Sequence, residues 1–115
     1  MSNDEFIAAN LHQAAKALGW AEGDGIHYFF NKGKDVGTIA IADWKPRQNS
    51  AQALNMAADL KISIKTVGRD VYAQHRTPDG FWINSPNIPM TGRLTPDVYR
   101  EAICLCAIKV GERMP

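Results

Sequence analysis

The chain has two cysteines, Cys104 and Cys106, one residue apart. That count and spacing exclude a disulfide scaffold. Long apolar runs are also missing. The longest, Ala102 to Ile108, falls far short of the roughly 20 residues that a membrane-spanning helix needs. The opening MSNDEF lacks the basic and apolar regions of a secretory leader, so a soluble protein of the cytosol is expected. Neither sign of charge is in surplus. Thirteen basic and 12 acidic side chains leave a net +1, without the strong basic footprint of a nucleic-acid binder. Residues 1–60 carry −2 and residues 61–115 carry +3, which leaves room for a small patch holding one phosphate.

Motifs of chemistry are missing too. There is no Gly-x-Ser-x-Gly, no phosphate-binding glycine loop, no dinucleotide fingerprint and no His-Glu-x-x-His. His12, His27 and His75 stand far apart, with no metal-ligand spacing among them. Cys104 and Cys106 fall inside an expected helix, where two residues turn about 200°, so they cannot readily share a metal. They read as small core hydrophobes. Neither an enzyme nor a bound metal or cofactor is expected.

What is present describes one ordinary domain. The 115 residues are 45% apolar and 22% charged, enough for a single core spanning 1–115. Ser2 and Glu5 form a capping box ahead of Ile7, Leu11, Ala14, Ala15 and Leu18 at helical spacing. Gly19 ends that helix. IHYFF and VGTIAIA, either side of NKGKD, read as a hairpin. Pro46 stops the second of these strands. Asn49 caps a second helix, with Gln52 completing an Asn variant of the capping box and Ala53, Met56, Ala57 and Leu60 as its apolar stripe. ISIKTV, VYAQHRT and FWIN then read as three strands, turning at Gly68-Arg69-Asp70 and Pro78-Asp79-Gly80. Ser85 to Arg93 is a loop. Thr95 caps a third helix with Pro96 at its first position, running to about Gly111. Its centre, AICLCAI, is apolar all round, so it lies mid-domain or is covered by another subunit. The order α-ββ-α-βββ-α predicts an α+β fold, a mainly antiparallel sheet with helices packed on it, sandwich-like.

The stretch Trp44-Lys45-Pro46, then Gln48-Asn49-Ser50 and Ala53-Leu54-Asn55-Met56-Ala57, resembles the phage alpha-beta-alpha sandwich domain, a family of small phage and prophage proteins. There a strand ends in Trp-Asn-Pro, acidic residues follow, and a helix reads roughly Asp-Ala-Leu-Arg-Leu-Ala. AAKALGW and YREAICLCAIKVGE are similar to the family's first and last helices. The acidic residues are absent here, and Asn55 replaces the arginine, which puts any shared ligand in doubt. The resemblance implies a phage or prophage origin and a fold, with no general activity. Small phage accessory proteins often work by blocking or modulating a host protein, and such a role in the host bacterial cytosol is the expectation for this chain.

Three regions could carry function. The corner Trp44-Lys45-Pro46-Arg47 precedes a helix N-terminus, where backbone N–H groups favour anions. Lys45 and Arg47 could grip a phosphate and Trp44 could stack on a base. The structural alternative is a fixed helix start with Trp44 filling space. His75-Arg76 ends a strand, where a ligand could reach it; a small hydrolase would need a carboxylate beside His75. Phe81-Trp82 and the loop to Arg93 offer an apolar surface with a basic rim for a protein partner. The expected function is therefore non-enzymatic binding of a host or phage protein. Residues Trp44, Lys45, Arg47, Arg76, Trp82 and Arg93 are the candidate contacts. A homodimer through the third helix is a further expectation. The alternative is a nucleotide or nucleic-acid binder using the Trp44–Arg47 corner.

Overall fold

The computed structural model describes residues 2–32, 35–90 and 92–114. Helix α1 spans Asn3–Ala17. Ser2 caps it: its Oγ accepts from the Glu5 N–H and donates to the Glu5 carboxylate, both at 3.2 Å. Gly19 follows the helix at φ +78°, a left-handed conformation that suits glycine. Strands β1 (Ala21–Glu22), β2 (His27–Lys32) and β3 (Asp35–Ala40) form one antiparallel sheet in that order. The tip of the β2–β3 hairpin, Gly33 and Lys34, lies outside the described residues.

The second strand ends earlier than the alternation of VGTIAIA suggests. Ile41 still donates to the Ile26 carbonyl at 2.8 Å. Residues Ile41–Asp43 then tighten into a single 3₁₀ turn that throws the chain toward α2 (Ser50–Leu60). Asn49 caps α2, accepting the Gln52 N–H at 3.0 Å. The capping box is not closed, because the Gln52 side chain turns instead to the corner backbone. Its amide donates to the Asp43 carbonyl, and its oxygen accepts from the Lys45 N–H. Lys61 ends α2 at φ 54°, its N–H bonding the Ala57 and Ala58 carbonyls.

Strands β4 (Ile62–Val67), β5 (Asp70–Arg76), β6 (Trp82–Asn84) and β7 (Ile88–Pro89) make a second antiparallel sheet. The strands thus divide into two sheets rather than one. The 3₁₀ turn and α2 lie between β3 and β4, and among the described residues these two strands do not pair. β5 is central. β4 pairs along one side, while β6 and β7 share the other. Buried Ser85 bridges that break: its N–H bonds the Ala73 carbonyl and its Oγ accepts the Ala73 N–H, each at 2.8 Å. Ile88, in the expected loop, is buried in the core, and Met90 packs against it.

Helix α3 (Pro96–Glu112) runs through the middle. Every residue from Ala102 to Ile108 is buried. α1, α2 and the inner face of the second sheet cover it. Of the two explanations for an all-apolar helix, the chain supplies the first. The apolar stretch that motivated a dimer through the third helix is already covered within the subunit. At its end, Gly111 meets α1 so closely that an added Cβ would lie 1.8 Å from the Gln13 carbonyl oxygen. Only glycine permits this crossing. The architecture is an α/β sandwich of helices packed on two antiparallel sheets, as the α+β reading anticipates. No helix among the described residues is long and apolar enough to cross a membrane.

Candidate functional site

The corner ahead of α2 is built into the core. Trp44 is 3% exposed. Its ring packs 4.9 Å from Trp20 and 5.5 Å from Tyr28, centroid to centroid. What little of the indole is exposed lies at the wall of a groove, and the ring is first a core side chain. Arg47 is buried as well, and its guanidinium faces three carboxylates. Nε donates to Asp4 at 2.8 Å, Nη1 to Asp97 at 3.0 Å, and Nη2 lies 3.8 Å from Glu101. Burial works against the charge, but the hydrogen bonds to Asp97 and Asp4 outweigh it and hold Arg47 above its ordinary pKa. An incoming phosphate would have to displace carboxylates already in place. The Arg47 carbonyl accepts from Arg100 Nε at 2.9 Å, and Arg100 Nη1 donates to Ser50 Oγ at 2.8 Å. Two arginines therefore tie together the N-termini of all three helices. The geometry favours the structural alternative for this corner. Lys45 is its exposed member.

The structure joins two other candidates. Arg76 and Trp82 are register partners on β5 and β6, and the guanidinium carbon sits 5.3 Å from the indole centroid. Both are exposed, as is Phe81. His75 faces inward, and its Nδ1 donates to the Leu60 carbonyl at 2.6 Å, anchoring the end of α2 to β5. Arg93 is exposed beyond Thr91, which lies outside the described residues, and shares no contact with Arg76 or Trp82. Cys104 and Cys106 are buried, and burial pushes both thiols up to about 12. No group of three His, Cys, Asp or Glu among the described residues is placed to hold a metal.

The structure also holds a groove that the sequence does not announce. It has a volume of about 780 Å³ and lies between α2 and the β3 side of the first sheet. Trp20, Phe30 and Trp44 form its aromatic wall, with Trp20 and Phe30 centroids 5.4 Å apart. α2 contributes Gln52, Asn55, Met56 and Asp59, one stripe at helical spacing. β3 contributes Val36, Thr38 and Ile39 along the lip. Among the described residues of the lining, Asp59 carries the charge. A mostly apolar cleft of this size with a few polar groups has the composition of a binding site. Its aromatic residues come from three separated segments, so no local motif reveals it. The one sequence signal is Gly37, whose missing side chain makes room for the Phe30 ring, 3.0 Å from where a Cβ would stand.

Comparison with known proteins finds no matching family model, no similar curated protein and no similar solved structure.

Proposed function

We propose that the protein is a non-enzymatic binding module that takes an apolar or aromatic anchor of a partner protein into the groove between α2 and β3. The observation that carries this reading is the groove: concave, walled by Trp20, Phe30 and Trp44, and rimmed by the short polar side chains Thr38 and Asn55. Interfaces concentrate their energy where one large side chain fills such a hollow. The resemblance to the phage alpha-beta-alpha sandwich domain supports placing the module among phage or prophage accessory proteins acting on a host or phage protein in the bacterial cytosol.

A photo-crosslinking amino acid at position 55 or 58, in protein expressed in bacteria, tests the groove. Ala58 is exposed on the groove side of α2, so replacement there leaves the core intact. A defined polypeptide should crosslink at these positions, and Ala58→Trp elsewhere in the pair should prevent it by filling the space. Crosslinks to no polypeptide, or ones indifferent to the filling substitution, would reject the groove as the site. A second reading rests on the exposed Arg76–Trp82 pair, a cation over an indole that could take an unpaired base. Strong binding of single-stranded oligonucleotide, falling with salt and lost in Trp82→Ala, would favour it.

A further inference from the structure

We infer that the outer face of the second sheet is a platform for single-stranded nucleic acid, with bases stacked on Tyr72 and Trp82 and another read between them by Gln74 and Asn84. This rests on the nucleic-acid reading of the Arg76–Trp82 pair and stands apart from the groove. An antiparallel sheet commonly packs one face and wets the other. Here Val71, Ala73 and Ile83 are buried, and α3 packs along the sheet. The residues that alternate with them point outward. Register sets these in rows: Arg76 beside Trp82, Gln74 beside Asn84, and Tyr72 beside Lys65. Trp82 is 53% exposed, and Lys65, Arg76 and Asn84 are exposed as well.

Three features of this face select its occupant. The first is the spacing of the rings. Four residues of β5 separate the row of Tyr72 from the row of Trp82, about 13 Å at 3.4 Å per residue. One base cannot cover both rings, so they serve different bases on either side of the middle row. Arg76 lies over the indole, its guanidinium carbon 5.3 Å from the centroid, and a guanidinium plane is itself a stacking surface. The second feature is the middle row. Among the described residues, no partner within the chain takes the side-chain amides of Gln74 and Asn84. A carboxamide carries both donors and an acceptor, the complement of a base edge. The third is charge. Residues 61–84 hold four basic and two acidic side chains. Lys65 and Arg76 stand at opposite ends of the platform, and Lys65 has no ion-pair partner among the described residues. The carboxylate of this face, Asp70, lies beyond Tyr72 and opposite Val67.

A duplex fits this face poorly. Its bases are stacked on one another, whereas a single strand can splay its bases onto aromatic rings. A protein fits less well too, because its anchoring side chains need a hollow to fill, and these residues stand on a flat, largely polar ladder. The chain as a whole carries only +1, so stacking leads the binding and phosphate contacts assist it.

The test titrates fluorescent single strands of mixed sequence, as RNA and as DNA, with the full chain over a range of salt and follows anisotropy. Binding of one or both is expected, with a logarithmic salt slope of about −1.4 for two phosphate contacts. Lys65→Gln should roughly halve that slope. Tyr72→Ala should weaken binding about tenfold and Tyr72→Phe should not, since stacking survives loss of the hydroxyl. Tyr72→Thr, which keeps a strand-forming residue without a ring, repeats the measurement where the alanine variant does not fold. Trp82→Ala should weaken binding by a similar factor, and Gln74→Ala should flatten the preference among sequences. Binding lost in Trp82→Ala yet indifferent to the loss of the Tyr72 ring and to Gln74→Ala would overturn the platform and leave the lone Arg76–Trp82 contact standing. Binding of neither strand, or binding indifferent to Trp82→Ala as well, would overturn both. A duplex held as tightly as the single strand would overturn the platform, as would a photo-crosslinking residue at position 74 that captures a polypeptide and no nucleic acid.

Discussion

Replacing Gly111 with alanine adds one methyl group at the tightest point of the molecule. The new Cβ would stand 1.8 Å from the Gln13 carbonyl oxygen, 2.5 Å from its carbon and 3.0 Å from its Cα. All three atoms are backbone, so no rotamer change relieves the clash. To bring the nearest contact even to 3.0 Å, α1 must move by more than an ångström from α3. That motion loosens Ile7, Ala14 and Ala15, which α1 buries in the core. Overpacking of this kind costs about 1–3 kcal/mol, and an immovable obstacle places it at the upper end. Alanine's better helix propensity returns about 1 kcal/mol, because Gly111 lies within α3. The net loss is about 2 kcal/mol, or roughly 8 °C in Tm for a domain of this size. Urea titration and calorimetry of the two proteins would measure it. A variant as stable as the parent, or more stable, would refute the close crossing of α1 and α3, since propensity alone predicts stabilisation.

Three further outcomes follow from the same geometry. Arg47→Lys should destabilise by about 1–2 kcal/mol, because one ammonium cannot reproduce separate N–H bonds to Asp4 and Asp97, and these carboxylates are too exposed for a larger effect; an unchanged urea midpoint would show the network to be idle. Both cysteines should resist a thiol reagent at neutral pH until the protein unfolds, and labelling of the native protein faster than global unfolding would contradict their burial. Asp24 is held at about 2, below its ordinary 3.8, chiefly by the His27 side chain and then by the Ile26 and His27 N–H groups. Its folded pKa lies below the unfolded one, so its contribution is present above about pH 4 and fades as pH falls toward 2. The stability gap between the parent and Asp24→Ala should therefore narrow across that window, and a constant gap would refute the assignment.

Helices were legible because their signals are local. Ser2, Asn49 and Thr95 each cap the helix they precede, and the all-apolar centre of α3 announced its burial. Strands of the meander were legible for the same reason, alternation bounded by glycine turns. Two things were not. The division into two sheets depends on which strands meet, a long-range matter that local alternation does not carry, and the strand ends at the 3₁₀ turn Ile41–Asp43 although Ile41 continues the alternation. The roles of the charged residues depend on partners far away in sequence. Arg47 in isolation reads as an anion grip, yet Asp4 and Asp97 lie 43 and 50 residues away and take its hydrogen bonds. Arg100, which completes the network, drew no attention in a helix of apolar residues. The pairing of Arg76 with Trp82 crosses a turn that was visible, so this contact was readable in principle from the register.

The corner and the groove are one construction. Gln52 lies in the groove wall, and its side chain is fixed by the Asp43 carbonyl and the Lys45 N–H. Arg100 holds Ser50, the first residue of α2, and Arg47 fixes the turn before it to α1 and α3. Trp44 belongs to both, packed on Tyr28 in the core and forming part of the groove's aromatic wall. These contacts start α2 at a set distance from β3 and keep it from closing on the strand edge. A helix free to settle would bury the apolar wall and pack against Val36 and Ile39. The frame of the gap is held by charge-assisted bonds at three helix ends. The residues that looked most like a ligand grip thus act through position: Arg47 frames the cleft, and Trp44 is part of its wall.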